Sequence, residues 1–384
     1  MLQHFGVFSG MPALEPQFPA LDKAIQWLSQ NVIMGKFINI FAFLFGLSFF
    51  IQMDRGAKKG IDFRKRFIWR MVVLLAIGIV GNSFFTADIL PIYAAFGVIM
   101  VFLFPLKNWI LIVIAVFLLI GTPRIISTQY DHFMKKEQVE ESIQTSVTNE
   151  SNRRMSTPSI TTMEKPSFFK SAERNLTTGF VRKLNYQFGL NGRGYVTMAL
   201  FILGLVVGRI RFFEGVESNK KRNVLLFIGF SLICLLINLI PLQEVTFRML
   251  MSGEELSPAM LASMALKDIQ TVLFSGALAL GFIILCQAEG IGKYLNVIIP
   301  YGRMGLTNYV AQSIMGGVMF SMWGFGAFFG NWGITEVFVL GLLVYTIQGI
   351  FSNYWLKYFL YGPLEWFWRS ATYMKIQPFR KNIN

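Results

Sequence analysis

Two histidines and two cysteines are all that 384 residues supply of the side chains most used as general bases, nucleophiles and transition-metal ligands. His4 lies near the N-terminus and His132 in a long polar stretch, so no imidazole falls in an apolar segment. Cys234 and Cys286 sit inside apolar runs without metal-ligand spacing, where a free thiol behaves as a small hydrophobe. A Walker loop, an HExxH pair, a dinucleotide fingerprint and internal repeats are all missing, so no metal or cofactor is expected. Charge is scarce too, at 15% of residues against about 25% in soluble domains.

What is present is apolar. The 54% apolar content exceeds the roughly 45–50% of soluble proteins and recurs along most of the chain with one long polar interruption. The net charge of +14 would suit nucleic acid, but the Lys and Arg flank apolar runs in short clusters, the pattern of membrane topology. The lipid bilayer is therefore the expected partner, and nucleic acid is not.

Runs long enough for spans of about 17 to 25 residues predict an all-α, polytopic transmembrane helix bundle with about nine spans. They fall near 34–53, 69–86, 88–105, 107–123, 194–211, 223–241, 268–287, 303–323 and 335–360. The third begins at Asp88 and Pro91 and would be short. Basic clusters at Arg55 to Arg70 and Arg209 to Arg222, with the Arg369 to Lys381 tail, fall on one side of this arrangement. The positive-inside rule then puts the N-terminus outside and the C-terminus inside. The chain divides into an extracytoplasmic segment 1–33, four spans over 34–123, a polar outer loop over 124–193, five spans with an interfacial tail helix over 194–378, and a tail over 379–384. Segment 1–33 has no cleavable signal, and the expected reading is that an upstream helix precedes it.

The loop has eleven basic and seven acidic side chains, but loops beyond about 60 residues escape the charge rule. Its 137–165 stretch has too little apolar surface to offset chain entropy and is expected to be flexible, with a short helix around 133–143. The loop could also bind another protein.

Function must come from polar groups inside apolar runs. GRMGLTNYVAQSIMGGVMFSMW, from Gly302, sets Asn308, Gln312 and Gly316 on one helical face. Lipid cannot satisfy an amide, so Asn308 and Gln312 imply either partner helices or a hydrated cavity. Gln348 and Ser352 repeat the four-residue spacing in the last span, which suggests one shared polar seam; Asn39, Ser48, Gln52 and Asn82 are candidates to extend it. Asp88 could hold a cation, proton or amine, or simply cap a helix. Arg303 could hold an anionic group or merely snorkel. In YGPLEWFWR, Gly362 and Pro363 separate two helices, Glu365 is spaced to pair with Arg369, and Trp366 and Trp368 suit the membrane interface. Gly204 and Gly208 form a GxxxG pattern.

GRMGLTNYVAQS followed by SNYWLKYFLYGPLEWFWR resembles the C-terminal signature of the YeiB-like bacterial membrane proteins, and KFINIFAFLFGLSFF and ADILPIYAAFG match upstream. The resemblance covers about 36 to 378 except the long loop. It implies a multi-pass bacterial cell-membrane protein whose C-terminal domain has no assigned function, distantly similar to membrane acyltransferases. Two departures stand out. The family's usual first helix, with an Asp and an Arg-Gly pair, has no counterpart here. The His its members carry shortly before Asp-Ile-Leu is also replaced, since GIVGNSFFTADIL has Gly81 and Asn82 there. If that His is the acyl-transfer base in relatives, this chain is inactive or uses other chemistry. The expected function is therefore transport or export of a small or lipid-like molecule through a polar cavity, with acyl transfer and a nonenzymatic partner role as alternatives.

Overall fold

The computed structural model describes residues 18–126, 167–245, 249, 256–288, 290, 295–330 and 332–381. Among these the chain is helical throughout, apart from an isolated bridge between Phe359 and Arg380. The helices are α1 (Pro19–Leu28), α2 (Lys36–Lys58), α3 (Arg64–Phe84), α4 (Leu90–Leu103), α5 (Asn108–Leu119), α6 (Phe168–Leu176), α7 (Thr178–Phe188) and α8 (Arg193–Arg209). They continue as α9 (Lys220–Asn238), α10 (Pro258–Gln287), α11 (Ile299–Arg303), α12 (Gly305–Phe320), α13 (Gly326–Phe329), α14 (Ile334–Tyr358) and α15 (Pro363–Tyr373).

Among the described residues five segments are long and apolar enough to cross a membrane: α1 with α2, then α3, α9, α10 and α14. A sixth arises if α6 to α8, bent by 65°, make one broken span. The other expected spans fall on shorter helices. The 14 residues of α4 rise only about 21 Å at 1.5 Å per residue, against a hydrocarbon core of about 30 Å. The outward faces are strongly apolar, with Leu225 69% and Ile350 66% exposed, a surface that water would not support and lipid does.

Five helices surround one core, in which Phe49, Phe67, Met100, Leu111 and Phe201 from α2, α3, α4, α5 and α8 are fully buried. Glycine brings α2 and α8 together. A Cβ on Gly46 would fall 2.0 Å from the Phe201 carbonyl oxygen, and one on Gly204 would fall 2.1 Å from that of Phe43. Both encounters are with backbone, so the helix axes themselves set the spacing. With the backbones this close, Phe45 and Phe201 stack at 4.7 Å.

The expected outer loop is partly folded. The 124–193 stretch ends in α6 and α7, which pack on each other and place α6 along α3. Phe168 meets Phe84 and Trp323, each at 5.0 Å, and Leu184 reaches the core. These apolar side chains are spaced on helical faces, so average polarity concealed them. The stretch expected to be flexible, and the short helix near 133–143, lie outside the described residues.

Residues 19–28 of the expected 1–33 segment fold as well, and α1 docks on α14. Asp22 Oδ1 accepts from the Thr335 amide at 2.9 Å and from its hydroxyl at 2.5 Å. A carboxylate suits this position, where first-turn amides lack intrahelical partners.

Candidate functional site

Three groups of buried polar side chains among the described residues hold most of the expected site residues. The first is a seam between α12 and α14. Asn308 Nδ2 donates to Ser352 Oγ at 3.0 Å and to the Tyr301 carbonyl at 3.2 Å. Gln312 Nε2 donates to Gln348 Oε1 at 2.9 Å and to the Tyr301 hydroxyl at 2.7 Å. Ser352 in turn donates to the Gln348 carbonyl at 2.7 Å. All four predicted seam residues are buried, and their amides are satisfied by protein. The four-residue spacing on both helices makes this pairing legible, whereas Tyr301 came from beyond the helix break at Met304 and carried no periodic signal. A hollow of about 580 Å³ lies elsewhere, at the end of α10, lined by Phe282, Cys286, Leu295 and Ile299.

The second group surrounds Asp88, in the connection between α3 and α4. Its Oδ1 accepts from the Leu90 amide at 2.8 Å, the helix-capping role open to an Asp at this position. Its Oδ2 is buried with no hydrogen-bond partner among the described residues and points at Gly81, where a Cβ would come within 2.3 Å. Tyr309, from α12, lies 3.5 Å from Oδ1 and accepts from the Ile89 amide at 3.1 Å. Lys183, from α7, donates to the Asp88 carbonyl at 2.7 Å and to Asn82 Oδ1. Asn82 Nδ2 donates to the Asn175 carbonyl at 3.1 Å. Asn82 thus belongs with Asp88 and not with the amide seam. Lys183 is 7% exposed, and a buried lysine in a polar loop was invisible to composition; the flanking Phe180 and Leu184 were the available signal.

The third group joins α2, α8 and α10. Arg124 Nη2 pairs with Asp268 Oδ2 at 2.8 Å and donates to the Asn191 carbonyl at 2.8 Å. Asn39 donates to Ser275 Oγ at 3.2 Å and accepts from Arg193 at 2.9 Å. Asn39 is therefore not part of the α12–α14 seam, and neither are Ser48 and Gln52, which bond each other at 3.2 Å. The expected 268–287 span begins at Asp268, but α10 starts ten residues earlier at Pro258, so this acid lies well inside the helix.

The terminal motif docks into the bundle. Glu365 accepts from the Thr307 amide at 2.9 Å and its hydroxyl at 2.5 Å, so the expected Glu365–Arg369 pair gives way to a contact with the first turn of α12. The turn's orphan amide is the stronger attraction, because an exposed ion pair one helical turn apart gains only about 0.3–0.5 kcal/mol. Arg369 instead lies over the Tyr361 ring at 5.1 Å. Trp368 donates to the Arg70 carbonyl at 3.0 Å beneath the Arg70 guanidinium, and Trp366 to that of Gln377 at 2.8 Å. Arg303 is exposed and reaches the Leu360 carbonyl at 3.4 Å. Glu365→Ala is expected to cost about 1–3 kcal/mol, as an abandoned helix-terminal amide does, while Arg369→Ala stays within about 0.5 kcal/mol; thermal melts in detergent compare the two.

Among the described residues no three His, Cys, Asp or Glu side chains gather as a metal site.

The same motif decides the kinship. The family described as "Protein of unknown function (DUF418)" matches residues 207–375, which hold α12, α14 and α15. A relative from Escherichia coli (strain K12), uncharacterized protein YeiB, is 35% identical over 80 residues, 21% of this chain and 20% of that one. The chain is YeiB-like and carries a DUF418 region over residues 207–375. Uncharacterized protein YxaH of Bacillus subtilis (strain 168) is similar to this DUF418 protein at 26% identity, covering 96% of this chain and 85% of YxaH. An uncharacterized 39.9 kDa protein from the amylase 3′ region of Bacillus acidopullulyticus is 24% identical over 94% of this chain and 87% of its own. No solved structure matches this DUF418 chain.

Proposed function

We propose that this DUF418 protein moves a small or lipid-like molecule across a bacterial cell membrane, with the α12–α14 seam as its closed gate. The observation that carries the reading is the double role of α12. One face gives Asn308 and Gln312 to α14, and the next residue, Tyr309, reaches the buried carboxyl of Asp88. Movement of this one helix would open the amide seam and uncover Asp88 together. A buried carboxylate oxygen with no partner is costly inside a membrane protein, and such groups generally mark substrate or ion pathways. The amides of the seam exchange partners readily, because each bond is worth only about 0.6–2 kcal/mol.

Nine spans with an outer N-terminus remain part of the proposal. The tail helix α15 contacts the basic start of α3, at Arg66 and Arg70, which supports a cytoplasmic position for that end.

A second reading, acyl transfer, draws on the same carboxyl. Asp88 with Tyr309 and Lys183 offers a proton acceptor where the family's His is replaced, so the chemistry would not need an imidazole. Labelled acyl groups passing from donor to acceptor in proteoliposomes would support it, and absence of product would remove it.

Metabolite profiling of a deletion strain complemented with variants tests the transport proposal. Asn308→Ala is expected to reproduce the deletion profile at wild-type protein level, while removal of residues 137–165 keeps the wild-type profile. The reverse pattern would favour a nonenzymatic role in which the loop holds a protein partner.

A further inference from the structure

Among the described residues one carboxylate oxygen is buried without a hydrogen-bond partner, Oδ2 of Asp88. The other orphaned oxygens, on Gln52 and Asn223, belong to neutral amides, which have no second protonation state to adopt. Asp88 is fully buried, and a bare carboxylate in such a place is far costlier than an unpaired amide. Protonation removes that cost.

The surroundings of Oδ2 limit its ligand to something very small. Gly81 faces the oxygen so closely that a Cβ there would collide with it, so Oδ2 occupies a notch walled by the α3 backbone. A metal ion would need several further oxygens around it, and a substrate amine would meet Lys183, whose charge reaches this carboxyl. A proton needs neither the room nor the ligands.

Lys183, from α7, supplies a field without a contact. Its ammonium donates to the Asp88 carbonyl at 2.7 Å and to Asn82 Oδ1, and among the described residues it forms no ion pair with the Asp88 carboxyl. A contact ion pair would hold the carboxyl charged, whereas this offset leaves both protonation states within reach. Tyr309, from α12, is the other titratable group facing Asp88, and Tyr93 of α4 is close enough to act on Tyr309. Gly81 and Asn82 of α3 and Asn175 of α6, also at the site, do not titrate. The Tyr309 hydroxyl stands 3.5 Å from Oδ1, against about 2.5–2.7 Å for a hydroxyl bonded to a charged oxygen, so the contact suits a neutral carboxyl.

We propose that Asp88 binds the coupling proton of transport and that Tyr309 passes its presence to α12. The proposal deepens the transport reading, resting on it for what the proton drives and not for the proton site itself. With the proton bound, Asp88 is neutral and α12 stays closed on α14. Loss of the proton leaves a charge that the 3.5 Å contact does not satisfy, and movement of α12 then brings solvent to it.

Infrared titration of the full chain in detergent reads the proton directly, because a protonated carboxyl and a carboxylate absorb at different frequencies. A protonated-carboxyl band that Asp88→Asn lacks, persisting above about pH 5 where an ordinary aspartate is ionised, is expected. Lys183→Gln should move its midpoint up by about one pH unit or more, the effect of removing a nearby opposite charge. Hydrogen exchange of the α12 amides, corrected for intrinsic rates, should rise across the same midpoint in wild type and lose that dependence in Asp88→Asn. In Tyr309→Phe the band should stay and the pH dependence of α12 should go. Should Lys183→Gln not fold, wild type and Asp88→Asn carry the test. Neither readout needs a substrate, so a missing band removes the proton site even where Asn308→Ala abolishes transport, and a band without any transport phenotype keeps the proton site while the transport reading falls. No Asp88 band above about pH 5, or α12 exchange that ignores pH in wild type, would overturn the proposal.

Discussion

Gly204→Val is expected to prevent the bundle from folding. The first atom of the new side chain would lie 2.1 Å from the Phe43 carbonyl oxygen and 2.8 Å from the Leu47 amide nitrogen, both backbone atoms of α2. Side-chain rotation cannot relieve such an overlap, so α2 and α8 must separate. Separation would loosen the stacked Phe45–Phe201 pair and the core around Phe49, Met100 and Ile202. Overpacking of cores usually costs about 1–3 kcal/mol, and a backbone collision at the central contact should exceed that range. Gly229→Ala is the control. No atom lies within 4 Å of its Cβ, and removing a helix-interior glycine should add about 0.5–1 kcal/mol of stability. Loss of the monodisperse folded fraction for Gly204→Val, with a raised melting temperature for Gly229→Ala, is the expected pair of results. A folded Gly204→Val protein with the wild-type melting temperature would show that the glycine contact is not tight.

Arg124→Met should be the most damaging change among the polar groups. Arg124 is 2% exposed, and its Nη2 holds both Asp268 and the Asn191 carbonyl at 2.8 Å. Removing one member of a buried pair leaves the other charge uncompensated, at about 3–5 kcal/mol. Removing both is different, because packed apolar residues can replace a buried ion pair without net loss. Arg124→Met with Asp268→Leu should therefore recover most of the stability lost in the single variant. Denaturation in mixed micelles measures this cycle, and a double variant as unstable as the sum of its singles would contradict the coupling. Local geometry supports the assignment: Gly192 adopts a positive φ, and a Cβ there would strike the Arg124 guanidinium at 2.5 Å.

Much of this arrangement was legible in the sequence, for reasons that differ between elements. Asn308, Gln312, Gln348 and Ser352 repeat at four residues, so each pair had to share a helical face, and lipid offered that face nothing. Gly204 signalled close helix contact because a missing Cβ has a clear use in packing. Other features carried no periodic trace. Lys183 lay in a stretch whose mean polarity pointed to loop, and only its aromatic and aliphatic neighbours hinted at a buried face. Glu365 was spaced to meet Arg369 along its own helix, but the unsatisfied amide of Thr307 came from 58 residues away in the chain. Helix ends were the least legible feature, since hydropathy reports how apolar a run is and not where capping or a break such as Met304 ends its helix.

The three polar groups share one cost. Asn39, Asn82, Asp88 and Arg124 are all nearly inaccessible, and the fold satisfies most of their polar atoms internally. Asp88 Oδ2, like Gln52 Oε1 and Asn223 Oδ1, is buried and pairs with nothing described, and the neutral amide analogue of Asp88 would keep the Leu90 capping bond. A residue retained at the expense of stability is expected to give way in function before it gives way in folding.

Asp88→Asn therefore offers the most direct measurement, made by determining the melting temperature of the purified variant and the metabolite profile of its strain together. A melting temperature equal to or above wild type, with the profile of the deletion strain, is the expected result. A wild-type profile at wild-type protein level would contradict a functional role for the buried carboxyl.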